Sequence, residues 1–153
     1  MASFEEYRLL YERTEKLSER RQTTSQIYLT INTALFGAVA FLAKDSGFPG
    51  WEQTLGLLFL FAFGILICFI WLRILLRLEE ILRWQYGQLR ELEKIIPDSY
   101  QLFTKENLAL YRPGKGREKF SFSLLESRLP VILMIIYGVF ALGFVLSTAL
   151  GGL

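Results

Sequence analysis

Three long gaps in the charge pattern constrain this chain more than any other feature. Between Arg21 and Lys44 lie 22 uncharged residues, Gln22 to Ala43, and between Glu52 and Arg73 lie 20, Gln53 to Leu72. After Arg128 no charged residue follows as far as Leu153. A helix rises about 1.5 Å per residue, so each stretch is long enough to cross a hydrocarbon core of about 30 Å. Buried helices of a soluble bundle would keep a polar face at helical period, and the second and third stretches have none. The first is interrupted by Thr30, Asn32 and Thr33. The pattern predicts an all-α polytopic membrane protein, a single membrane domain over residues 1–153 with spans at 22–43, 53–72 and 129–150. The mean hydropathy of +0.33, with 52% hydrophobic residues, agrees.

The distribution of Lys and Arg gives an expected orientation. Arg8, Arg13, Lys16, Arg20 and Arg21 precede the first span, the loop 44–52 holds Lys44 alone, and residues 73–128 hold 11 of the 17 basic residues. By the positive-inside rule the N-terminal segment and residues 73–128 are cytoplasmic, while the loop 44–52 and the C-terminal tail are external. Residues 1–21 are densely charged and lack the apolar stretch of a signal peptide, so the first span is expected to remain as an anchor. Phe48, Trp51 and Trp71 fall where interfacial aromatics are expected.

Two of the three helices should extend into a cytoplasmic stalk. Ser3 and Glu6 fit a capping box, and no Pro or Gly follows before Gly37. A second helix is expected from near Glu52 to Ile96, stopped by Pro97. Beyond the membrane it carries Leu75, Leu78, Leu82, Gln85, Leu89, Leu92 and Ile96, a coiled-coil heptad seam with one polar member. Tyr7, Leu10, Thr14 and Leu17 repeat that spacing on the N-terminal segment. The seam can close within the chain or between subunits, and simple packing accounts for most of its residues. In the region 98–128, Thr104 to Leu110 suits a short helix and Arg112 to Lys119 a basic loop. Ser123 with Glu126 offers another capping box, with Pro130 in an early turn, for an interfacial helix leading into the third span.

The residues present exclude more chemistry than they suggest. There is no histidine and one cysteine, Cys68. No thiolate or imidazole metal cluster can form within the chain, and the commonest general base is missing. No nucleotide-binding loop surrounds Lys115, and no cofactor is expected. A net charge of +2 gives no nucleic-acid footprint. No span carries an ionisable carboxylate or basic group, which disfavours ion-coupled transport. Thr30, Asn32, Thr33 and Gly37 are candidates for helix or subunit packing, together with Leu78, Leu82, Gln85 and Leu89 of the seam. Gly138, Ala141, Gly143 and Ser147 offer the same small-residue packing on the third span. Arg20, Arg21, Arg73 and Arg77 are candidates for headgroup contacts or salt bridges at the helix ends.

Several segments carry a family resemblance: Leu17-Ser18-Glu19-Arg20-Arg21-Gln22, then Leu29-Thr30-Ile31-Asn32-Thr33-Ala34-Leu35, then Leu92-Glu93-Lys94-Ile95-Ile96-Pro97. They continue in Tyr111-Arg112-Pro113 and Leu125-Glu126-Ser127-Arg128-Leu129-Pro130. In these segments the chain resembles the RipA family of octameric bacterial membrane proteins. The resemblance implies a bacterial inner-membrane homo-oligomer of eight subunits, with lipid and further copies of itself as partners, and it supplies no chemistry. The expected function is therefore a non-enzymatic, ring-like assembly with a helical cytoplasmic collar, in a structural or regulatory role. An ion channel or membrane-perturbing pore formed by the oligomer is the alternative, and a membrane enzyme acting on lipid-linked substrates is the least favoured class.

Overall fold

The computed structural model describes residues 4–44, 50–96, 99–110 and 122–151. They form four helices: α1 (Phe4–Ala43), α2 (Gly50–Ile95), α3 (Leu102–Leu110) and α4 (Phe122–Gly151), with no strand among the described residues. Helices α1, α2 and α4 each contain a stretch long and apolar enough to span a membrane. The chain is thus an all-α, multi-pass membrane protein. Glu5 and Glu6 occupy the first turn of α1, and α2 has Glu52 in its first turn and Lys94 in its last. These charges complement the helix dipoles. At 46 residues, α2 is about 69 Å long, more than twice a hydrocarbon core, and must extend beyond it.

The chain divides into two compact units, to which the long helices contribute different segments. One unit comprises Thr24–Arg73 with Ser127–Leu153 and holds the apolar segments. Its core is Leu57, Phe61, Cys68 and Tyr137, with Phe36, Val39, Ile65 and Phe144 packed around it. Gln53 Nε2 donates to the Leu42 carbonyl at 2.6 Å, satisfying a backbone acceptor in the last turn of α1. Trp71 is fully buried and stacks on Tyr28 at 5.7 Å, with an interplanar angle of 2°. It is therefore a packing residue and not the interfacial aromatic expected from its position, whereas Trp51 is exposed. Phe48 lies outside the described residues.

The other unit comprises Met1–Thr23 with Ile74–Glu126 and carries most of the charge. Along α2, Leu75, Leu82, Gln85 and Leu89 of the seam are buried, and Leu78, Leu92 and Ile96 are half-buried. Along α1, Thr14 is buried and Tyr7, Leu10 and Leu17 are half-buried. The Thr14 hydroxyl donates to the Leu10 carbonyl at 2.7 Å, so its burial leaves no unmet donor. Helix α3 begins at Leu102, two residues earlier than its pattern suggested.

Two capping expectations end differently. Ser3 is outside the described residues. Helix α4 already begins at Phe122, so Ser123 lies inside it, and among the described residues Phe122, Leu124 and Leu125 belong to the same helix as the third span. Pro130 accordingly sits two turns into the helix, buried, where it cannot send the ladder N–H towards the Glu126 carbonyl. The basic loop Arg112 to Lys119 is likewise outside the described residues.

Gln85 is the polar member of the seam, and its Oε1 is buried with no donor among the described residues. A buried acceptor left unmet costs about 1–3 kcal/mol. Gln85→Leu should therefore raise the thermal unfolding midpoint of the detergent-solubilised protein, by an amount equivalent to about 1–2 kcal/mol. A fall in the midpoint would show that the amide is satisfied.

Candidate functional site

Two buried polar clusters stand out, one in each unit. In the apolar unit Asn32, 2% exposed, lies against Cys68 and Tyr137, both fully buried. Its Nδ2 donates to the Tyr28 carbonyl at 2.8 Å, which fixes the orientation of the amide because that carbonyl can only accept. Asn32 Oδ1 then accepts from the Tyr137 hydroxyl at 3.1 Å and from the Cys68 thiol at 3.2 Å. One amide thus joins α1, α2 and α4. The Tyr137 ring also stacks on Phe36 at 4.7 Å. A Cβ on Gly64 would lie 2.6 Å from Tyr137 Cζ, so glycine is needed at 64 for the ring to reach Asn32.

The other polar residues of the first span are placed differently. Thr30 and Thr33 are exposed and return their hydroxyls to the Gln26 and Leu29 carbonyls at 3.0 and 2.9 Å. Gly37 is exposed, and a Cβ there would meet nothing within 4 Å. Among the arginines, Arg20 is exposed, and Arg73 is exposed with its guanidinium 5.8 Å from the Phe69 ring. Arg77 pairs with Glu80 at 2.8 Å where both are exposed. Arg21 is different: it bonds Glu126 at 2.8 Å with only 12% and 21% of the two side chains exposed. Pairs as exposed as Arg77–Glu80 contribute about 0.5 kcal/mol or less, and a more enclosed pair such as Arg21–Glu126 matters more.

The second cluster surrounds Glu93, 1% exposed, in the charged unit. Its Oε1 accepts from the Phe103 N–H at 2.9 Å and from the Tyr7 hydroxyl at 3.3 Å. Its Oε2 accepts from the Thr104 N–H at 2.9 Å and the Thr104 hydroxyl at 2.8 Å. Gln101 accepts the first helical bond of α3, from Lys105 at 2.9 Å, and so occupies the N-cap position with φ at 52°. Glutamine is a poor cap, and Glu93 supplies from α2 the oxygens that a capping side chain would give to the second and third N–H groups. Burial pushes the Glu93 carboxyl up, but the bonds from Phe103, Thr104 and Tyr7 outweigh it and hold the group below its ordinary value. Burial, then the Glu93 charge, push the Tyr7 phenol up, keeping it a donor.

Nothing in the sequence pattern singled out Glu93. It follows Leu89 by four residues, so it lies on the buried stripe, and an acidic residue there was the available signal. A cleft of about 400 Å³ lies beside it, lined by Phe4, Tyr7, Ile96, Tyr100 and Leu102 among others. No group of metal-ligating residues occurs among the described residues. Both clusters direct their hydrogen bonds to the chain itself, which suits holding helices in register better than acting on a substrate.

Interhelical bonds inside membranes average about 0.6 kcal/mol each, and an overpacked core site costs about 1–3 kcal/mol. Gly64→Ala should therefore destabilise at least as much as Asn32→Leu, and the two together should be sub-additive, in thermal melts of the purified protein. Full additivity would mean that Gly64 does not act through Tyr137. For Glu93, the folded value lies below the unfolded one of about 4.3. Its contribution is present above that value and is lost as pH falls through the folded value. Glu93→Gln should remove most of this acid sensitivity while lowering stability at neutral pH. An unchanged pH profile would refute the capping role.

The model of the octameric membrane protein family, 8xMP, matches residues 4–146. No curated protein and no solved structure matches the chain. The match runs from the first residue of α1 into the last turns of α4, through both polar clusters. With 153 residues in all, nearly the whole chain is covered, and it belongs to the octameric membrane protein family.

Proposed function

We propose that the chain assembles with copies of itself, eight in number, into a ring-like particle in a bacterial inner membrane. Its N-terminus and charged unit would lie on the cytoplasmic side as a helical collar, with the C-terminus external. The assembly acts through its surface, in a structural or regulatory role, and not by turnover. Its partners are membrane lipid and itself.

The observation that carries this reading is apolar surface left exposed among charged side chains. Exposed Phe59 and Val139 in the spans are what a bilayer covers. In the charged unit Trp84 and Ile95 are 63% and 61% exposed on α2, among Arg77, Glu80, Arg83 and Glu91. Eleven residues apart, the two side chains lie about three turns apart on one face of α2, where a second copy packed against the helix would cover both. The family's octameric description supplies the partner, another copy of this chain. The segments that resemble the RipA family support the same reading. A central pore has less support, because Thr30 and Thr33 spend their hydroxyls on their own helix and so can face lipid.

Native mass spectrometry of the detergent-extracted protein, with two-dimensional class averages, tests the assembly. The expected result is a closed ring of about eight subunits. A monomer or dimer at all detergent conditions would overturn it.

A further inference from the structure

Helix α1 carries a charge pattern that the described residues of its own unit leave mostly unpaired. Glu12, Glu15 and Glu19 recur at steps of three and four, and Arg13, Lys16 and Arg20 repeat those steps one residue later. At about 100° per residue they form an acidic and a basic stripe, on either side of the line opposite buried Thr14. Glu12 is half-buried and the other five are exposed. Glu12 pairs with Arg8, whereas the other five make no ion pair among the described residues. Like charges at i,i+3 or i,i+4, such as Glu15 with Glu19 and Lys16 with Arg20, repel within the helix. Glu12 with Lys16 and Lys16 with Glu19 offset part of this repulsion where the stripes adjoin.

The stripes lean towards opposite flanks of the unit. Glu15 follows Tyr11 by four residues, and Tyr11 packs on Phe103 of α3 at 6.1 Å. Tyr86 of α2 meets the same ring at 5.8 Å, so this flank is the one α3 covers. Trp84, two residues before Tyr86, projects to the flank away from α3, and the basic stripe leans away from Tyr11.

We propose that the stripes are the two halves of a head-to-tail contact between copies of this chain, the basic stripe of one copy facing the acidic stripe of the next. This rests on the homo-oligomeric reading above. A closed ring of more than two subunits needs two different patches on each subunit, and opposite charges on the two flanks meet that need. They also set direction, because a reversed neighbour would bring like charges together. An anionic lipid surface would account for the basic stripe alone and would repel the acidic one beside it.

Two full-length variants test the contact: R13E/K16E/R20E, acidic on both stripes, and E12K/E15K/E19K, basic on both. Glu, Lys and Arg have similar helix propensity, and circular dichroism confirms that each variant keeps its helical content. Each variant alone should lose the ring in native mass spectrometry near 0.15 M salt. Co-expressed with distinguishable tags, they should recover rings with the two chains in equal number, since alternation closes for any even count. Variants that each form the wild-type ring would overturn the contact, as would co-expression that yields no mixed ring. Loss in the R13E/K16E/R20E variant only would also overturn it and point to lipid. A monomeric wild type would sink the homo-oligomeric reading itself; a wild-type ring beside intact variant rings removes the contact alone.

Discussion

Inside hydrocarbon, a polar group that the protein fails to satisfy has no solvent to turn to. Asn32 meets that constraint completely on its acceptor side, with Oδ1 taking donors from α2 and α4 while Nδ2 is held by its own helix. The surrounding core is arranged accordingly. Gly64 has no side chain because the Tyr137 ring lies where one would be, and Phe36 stacks on the other side of that ring. The amide's bonds thus fall within one chain. Asn32, a candidate for helix or subunit packing by sequence, makes these bonds to helices of its own chain.

The charged unit solves a different problem by similar means. Its short helix α3 has a glutamine, Gln101, at the N-cap position and lacks a good capping side chain of its own. Glu93 caps it from α2 and also receives Tyr7 from α1, so one carboxylate holds three helices. Four hydrogen bonds allow a carboxylate to remain charged at 1% exposure. Such a group specifies geometry more than it adds stability, since desolvating it offsets much of the gain.

Charge gaps and heptad steps made the helices legible, because hydrocarbon thickness and helical period act directly on residue type. The spans, the long α2 and the buried seam all follow from those two rules. Trp71 did not, since a tryptophan near the end of an apolar run fits both an interfacial belt and a buried stack. Only Tyr28, distant in sequence, decides between them. Asn32 was visible as a polar residue in an apolar run, but Cys68 and Tyr137 lie 36 and 105 residues away along the chain. Glu93 sits among Glu91, Lys94 and other exposed charges, and its partners come from α1 and from a helix start beyond Pro97, both distant in sequence. Ser123 and Glu126 carry capping-box spacing inside a helix already under way at Phe122, so that pattern puts the start of α4 too late.

The protein's single thiol has a consequence of its own. Cys68 is fully buried and donates to Asn32, so reagent can reach it only when α1, α2 and α4 part. The rate at which it becomes alkylated is therefore a clock for the opening of the helix bundle, read against no background from any other cysteine. The molecule carries its own reporter of local breathing, placed at the point where its helices are joined.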